Sequence, residues 1–162
     1  MKLSSKFDDR GYDELIHAMR MLDGQQVSYG FFDGKAHPEV PDASIAQIAY
    51  WNDQGVKSST TGQWKVPPRN FMTIAHVITE SEMQKYTQRL MQAFIHSGAK
   101  GINRDLKSIA IDMADNIREA IDTQEYVPLA ESTVRQKGSD YILVETGAMY
   151  RDAEGRVEKN NG

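Results

Sequence analysis

The stretch Ile102-Asn103-Arg104-Asp105-Leu106-Lys107-Ser108-Ile109-Ala110-Ile111-Asp112-Met113-Ala114-Asp115-Asn116-Ile117-Arg118-Glu119-Ala120 decides how this chain is read. Ile102, Leu106, Ile109, Met113, Ile117 and Ala120 recur at intervals of three and four, which places all six on one face of an α-helix predicted over 102–123. Asp105, Lys107, Asp112, Arg118 and Glu119 fall largely off that stripe, as a solvated face would. A helix with one apolar stripe must bury it against another element, so the reading moves outward.

Upstream, Phe71, Ala75, Ile78, Met83, Tyr86, Leu90 and Phe94 predict a partner helix over 71–96, separated from the first by Gly98 and Gly101. Thr79 and Ser81 weaken its middle and admit a kink. Before it stand Pro67-Pro68, which neither a helix interior nor a central strand accepts. Residues 56–65 are polar, Ser/Thr-rich and broken by Gly62, and read as a mobile loop or a loose hairpin. Ser44 with Gln47 fits a capping box, so a short helix starts there, and Gly55 ends it at the left-handed cap position.

Nearer the N-terminus, Tyr12, Leu15, Ile16, Met19 and Leu22 share the face of a helix predicted over 8–23 and stopped by Gly24. Residues 25–32 read as a strand closed by Asp33-Gly34. Beyond Pro128, Ser132 is placed as the cap of a helical turn through Arg135 that Gly138 closes. Tyr141 to Val144 is apolar and β-prone, residues 149–157 read as a last strand or hairpin around Glu154-Gly155, and the final residues fray. The expected fold is α+β: one domain over 1–162, with a small, mostly antiparallel sheet packed against two long helices and shorter ones.

Composition narrows the function. A chain of 162 residues suits one domain, and burying roughly 70% of its extended surface gives it a core without metal or disulfide. Cysteine is absent, which excludes disulfides, thiolate zinc sites and cysteine nucleophiles. The net charge of −4 and scattered Lys and Arg do not mark a nucleic-acid binder. Met1-Lys2-Leu3-Ser4-Ser5-Lys6 lacks the apolar core of a signal peptide. No segment approaches the ~20 apolar residues that cross a bilayer. The expectation is a protein made in a cytoplasm, with no membrane partner.

No constellation points to catalysis. His76 and Glu80 stand four apart, a spacing that can hold a metal, but no further ligand is indicated and a surface pair explains them. Asp112, Asp115 and Glu119 lie on adjacent turns with Lys107 and Arg118 among them, which again reads as a solvated face. Gly30 to Lys35 is one residue short of phosphate-loop spacing and lacks Ser or Thr after the lysine. No nucleophile elbow exists. The expectation is no enzyme, no catalytic or metal-ligating residue and no cofactor.

Four landmarks in order do point somewhere. Ser44-Ile45-Ala46-Gln47-Ile48-Ala49-Tyr50-Trp51-Asn52-Asp53-Gln54-Gly55 precedes Val66-Pro67-Pro68-Arg69-Asn70-Phe71-Met72. Pro128-Leu129-Ala130-Glu131-Ser132-Thr133-Val134-Arg135-Gln136-Lys137-Gly138 follows, then Leu143-Val144-Glu145-Thr146-Gly147-Ala148-Met149. The series resembles the neck and tail-completion (tail-component) proteins of long-tailed bacteriophages over about residues 27–150. Asn70 departs from that pattern, which usually carries a further proline there, and the 56–65 loop is longer than usual.

The resemblance implies a structural virion protein at the head–tail joint. It would form a homo-oligomeric ring, a hexamer rather than a dodecamer, that completes or terminates the tail and connects it to the head. Its partners would be copies of itself and neighbouring neck, connector or tail-tube proteins. DNA would pass through the lumen without sequence-specific contact, which a mildly acidic chain suits. The alternatives are a connector-side adaptor that completes the head or, from another class, a small regulatory nucleic-acid-binding protein. Candidate interface residues are Trp64, Pro67, Pro68, Arg69, Phe71 and Met72. Arg69 is expected to pair with a carboxylate of a neighbouring subunit, and Trp64 to anchor a loop that orders on assembly. Gly55, Thr146 and Gly147 are candidate structural turns, the last two launching a strand.

Overall fold

The computed structural model describes residues 10–32, 34–38, 40–138, 140–143 and 147–159. Helix α1 (Arg10–Leu22) leads into strand β1 (Gln25–Gly30), followed by α2 (Ile45–Gln54), β2 (Val56–Lys57) and β3 (Trp64–Val66). The long element α3 (Phe71–Asp122) comes next, then α4 (Glu131–Lys137), α5 (Ala148–Asp152) and β4 (Glu154–Lys159). The fold is α+β, with two small antiparallel pairs, β1–β4 and β2–β3.

α3 is a helical hairpin. Its φ and ψ leave the helical range only at Gly98 (φ 59°, ψ −148°), a region that side chains strongly disfavour. The second leg then runs back along the first: Asn116 donates to Thr79 Oγ1 at 3.0 Å, and Arg89 reaches Ser108 and Asp112. The predicted six-residue stripe, Ile102 to Ala120, is buried throughout. Gly101 does not separate the helices. It lies inside the second leg, where a Cβ would run into the Ala93 carbonyl, so it sets how closely the legs meet. No kink occurs at Thr79 or Ser81, because Thr79 is buried and occupied by Asn116.

β1 and β4 lie on this hairpin, paired from Gln25↔Lys159 to Gly30↔Glu154. Val27 and Tyr29 pack against Tyr86, Ile109 and Met113. A Cβ on Gly155 would collide with the Ala110 backbone, so β4 touches the helix main chain itself. The C-terminal expectation is corrected here. The expected last strand is present as β4, but no hairpin forms: residues 149–152 belong to α5, and β4 pairs with the distant β1. Ser132 caps nothing: α4 starts after Ala130 without a side-chain cap, while Gly138 (φ 72°) closes it as expected. Tyr141 to Leu143 is irregular, since Leu143 adopts φ 67°. Val144 lies outside the described residues.

Candidate docking groove

The landmark segments meet at one end of the molecule, and Asp53 is the residue that joins the first two. α2 opens with the expected reciprocal capping box, Ser44 with Gln47. At its other end the Asn52 and Asp53 carbonyls accept from the Arg69 backbone N–H at 3.0 and 3.1 Å. Asn70 sits in the left-handed region (φ 52°) and gives α3 no side-chain cap. The buried Asp53 carboxylate takes that role: Oδ1 accepts from the Met72 N–H at 2.9 Å, and Oδ2 from Gln54 Nε2 at 2.7 Å. A carboxylate over a helix N-terminus is also favoured by the helix dipole.

Gly55 (φ 76°) makes the turn out of α2 with the expected positive φ, but its ψ of 165° takes it out of the left-handed cap region. A Cβ there would lie 2.8 Å from the Trp64 ring and 2.7 Å from Pro68 N, so only glycine lets the β2–β3 hairpin fold back on Pro67-Pro68. The hairpin is closed within the chain by Ser58 N–H to the Gln63 carbonyl at 2.8 Å. Trp64 remains 48% exposed, with Lys57 Nζ 4.6 Å over its ring.

Beside this hairpin runs a groove of about 620 Å³. Ile48 and Asn52 contribute from α2, and Trp64, Val66, Pro67 and Arg69 from the lead-in to α3. Pro128, Leu129 and Thr133 form part of the opposite wall, with Leu143, Ala148 and Met149 alongside. Gln124 holds that wall in place: its side-chain amide donates to the Ile142 carbonyl at 3.0 Å and accepts from the Ile142 N–H at 2.8 Å, as a neighbouring strand would.

Arg69 is 5% exposed, packed within its own chain. Its Nη1 donates to the Val127 carbonyl, and its Nε is buried without a partner. Among the described residues no carboxylate forms an ion pair with it. Burial pulls its pKa below the ordinary value, and Tyr126 opposes that shift. Phe71 is 0% exposed and meets Phe31 edge to face, so its side chain belongs to the chain's own core and is not a free anchor. Met72 and Pro68 are half-buried, Met72 against the same core.

Gly147 has the positive φ expected of it (64°) but launches helix α5 rather than a strand, and Thr146 lies outside the described residues. Asp53, Val40 and Ile142 are among the contributors not singled out from sequence. Asp53 left a usable signal, since a carboxylate beside a helix-ending glycine and ahead of an uncapped proline lead-in is well placed to cap the next helix.

His76 Nε2 lies 3.5 Å from the Glu80 carboxylate on the exposed face, and His76 also meets the Tyr29 hydroxyl at 3.4 Å. Arg118 is not part of a solvated face: it binds the Tyr150 carbonyl at 3.0 Å, the Ala153 carbonyl at 2.5 Å and Asp115 at 2.6 Å. Among the described residues no group of three or more His, Asp or Glu side chains can hold a metal, and no helix is long and apolar enough to cross a membrane. No family model matches the chain, and neither a curated protein nor a solved structure matches it.

Proposed function

We propose that the chain is a structural subunit of a tailed-phage particle, built into the joint between head and tail. Its copies form a ring, a hexamer rather than a dodecamer, that completes the tail and meets the head. One observation carries this reading. The four ordered segments that resemble neck and tail-completion proteins are far apart in sequence, yet residues from all four line a single groove. A shared surface is what a docking protein needs from such segments, whereas four unrelated turns would scatter. The groove mixes apolar walls with one buried cation, Arg69, a lining suited to docking a partner.

The test is location in the particle. Gold-labelled antibody against the protein, imaged on intact virions of the source phage, marks the neck between head and tail. Label along the tail or on the capsid faces, or absence of the protein from purified particles, rejects the reading.

A further inference from the structure

The groove carries a charge pattern opposite to that of the whole chain. The net charge is −4, yet the described residues that line the groove include Lys65, Arg69 and His37 and no Asp or Glu. Lys65 is exposed on β3 and forms no ion pair among the described residues. Arg69 is the other extreme: it is buried, and its Nε meets no acceptor among the described residues. Taking a guanidinium out of water without a matching anion is costly, because the lost hydration is replaced here by one neutral carbonyl, that of Val127. Nη1 takes that carbonyl. The edge away from it, Nε with Nη2, is a planar two-donor fork whose spacing fits both oxygens of one carboxylate.

The rest of the lining narrows what carries the anion. Pro67, Pro128, Leu129 and Met149 give the groove apolar walls, and about 620 Å³ admits a short segment rather than a lone ion. A sulfate or phosphate would leave those walls against water. A carboxylate on an apolar stem satisfies the cation and covers the walls together.

We propose that the groove is a socket for one acidic side chain of a neighbouring protein, a Glu or Asp set between apolar residues, with its carboxylate on Arg69 and its flanking residues on the apolar walls. This rests on the reading that the groove docks a partner, and it names that partner's chemistry. Lys65, exposed in the lining, draws the acid in, and the desolvated guanidinium holds it.

Trp64 reports occupancy, because it lines the groove and Trp51, the other tryptophan, does not. The probes are capped pentapeptides with a central Glu or Asp between Leu, Ile or Phe residues, each with a Gln or Asn twin, titrated into the full-length Trp51→Phe protein at constant ionic strength. The acidic peptides shift the Trp64 emission, and their amide twins bind about tenfold or more weakly, as losing the partner of a desolvated charge does. Arg69→Met removes the preference for the acid. Lys65→Glu, at an exposed position, weakens acidic peptides more than their twins and keeps the test decisive should Arg69→Met misfold. Hexanoate binds more weakly than the acidic peptides, and sulfate does not displace them.

Equal binding of a peptide and its twin, or no binding by any acidic peptide, overturns the proposal. So does a preference for the acid that survives both substitutions. Hexanoate binding as tightly as the peptides would make a free acid the ligand instead, and displacement by sulfate would mean an adventitious ion only; either overturns the protein socket. None of these results bears on where antibody labels the virion, so the socket and the placement at the joint fail separately.

Discussion

Asp53 shows how one side chain can decide a junction. It replaces the cap that Asn70 does not supply and ties Gln54 and Met72 to the same carboxylate. Asp53→Ala is expected to cost about 1–2 kcal/mol, the usual worth of a lost N-cap, read as a lower urea midpoint at unchanged slope. Tyr86 and Asn116 make a second such point inside the helical hairpin. Tyr86 donates to Glu82 and accepts from Asn116 at 3.4 Å. Burial, then the Glu82 carboxylate, push the Tyr86 hydroxyl up to about 12 from an ordinary 10.0. The unfolded chain loses that proton first, so the stabilisation is complete below pH 10 and is lost as pH rises towards 12. The loss is on the order of 2 kcal/mol. Alkaline denaturation of Tyr86→Phe should show a shallower decline over that range, and an identical decline would remove the assignment. Glu82 has the opposite sense: Lys85, then Tyr86, hold it below the ordinary carboxylate range, so its contribution disappears on acidification.

At the scale of elements, two glycines set the geometry for different reasons. Gly98 turns the helix back on itself with a backbone conformation, and a Cβ there would meet nothing within 4 Å. The cost of Gly98→Ala is therefore conformational, about 1–3 kcal/mol. Gly155 has ordinary strand geometry, and its obstacle is contact with Ala110. Gly155→Ala must push β4 off the helix, at about 1–3 kcal/mol of overpacking. Amide hydrogen exchange separates the two. Gly155→Ala speeds exchange in β1 and β4, and Gly98→Ala speeds it at the tip of the hairpin around Ala93 to Ile102. The helical periodicity was legible because the second leg buries its whole stripe and the first leg all of its stripe at least partly except Met83, which is exposed. The β4 pairing was not, because its partner lies 124 or more residues earlier and nothing local in 154–159 names β1.

For the whole molecule, the C-terminal segment is held by Arg118, which reaches from α3 to the carbonyls of Tyr150 and Ala153. Arg118→Met strips both of that donor and is expected to destabilise the fold by about 1–3 kcal/mol. α5 and β4 should loosen first, with faster exchange over 148–159. A uniform loss across the chain would mean that Arg118 acts on α3 alone. The same end of the molecule carries the groove, whose walls come from α2, the α3 lead-in, the 128–133 segment and α5. Sequence reading placed Trp64, Pro67 and Arg69 near a working surface, and all three line the groove. Phe71 was an interface candidate beside them, and both Phe71 and the Arg69 side chain are buried. Burial is a property of what packs around a residue, and the neighbours of both come from elsewhere in the chain.

By itself, the amino-acid sequence determined the local features of this protein. Periods of three and four placed the helices, reciprocal Ser44 and Gln47 opened α2, and Gly55, Gly138 and Gly147 marked positions of positive φ. These follow from the nearest few residues, whose sterics and hydrogen bonds act along the chain. Only the tertiary structure decided that β4 joins β1, that Asp53 near the end of α2 caps the next helix, α3, and that four distant segments wall one groove. Such contacts depend on how the elements pack, and the same local pattern is compatible with several packings.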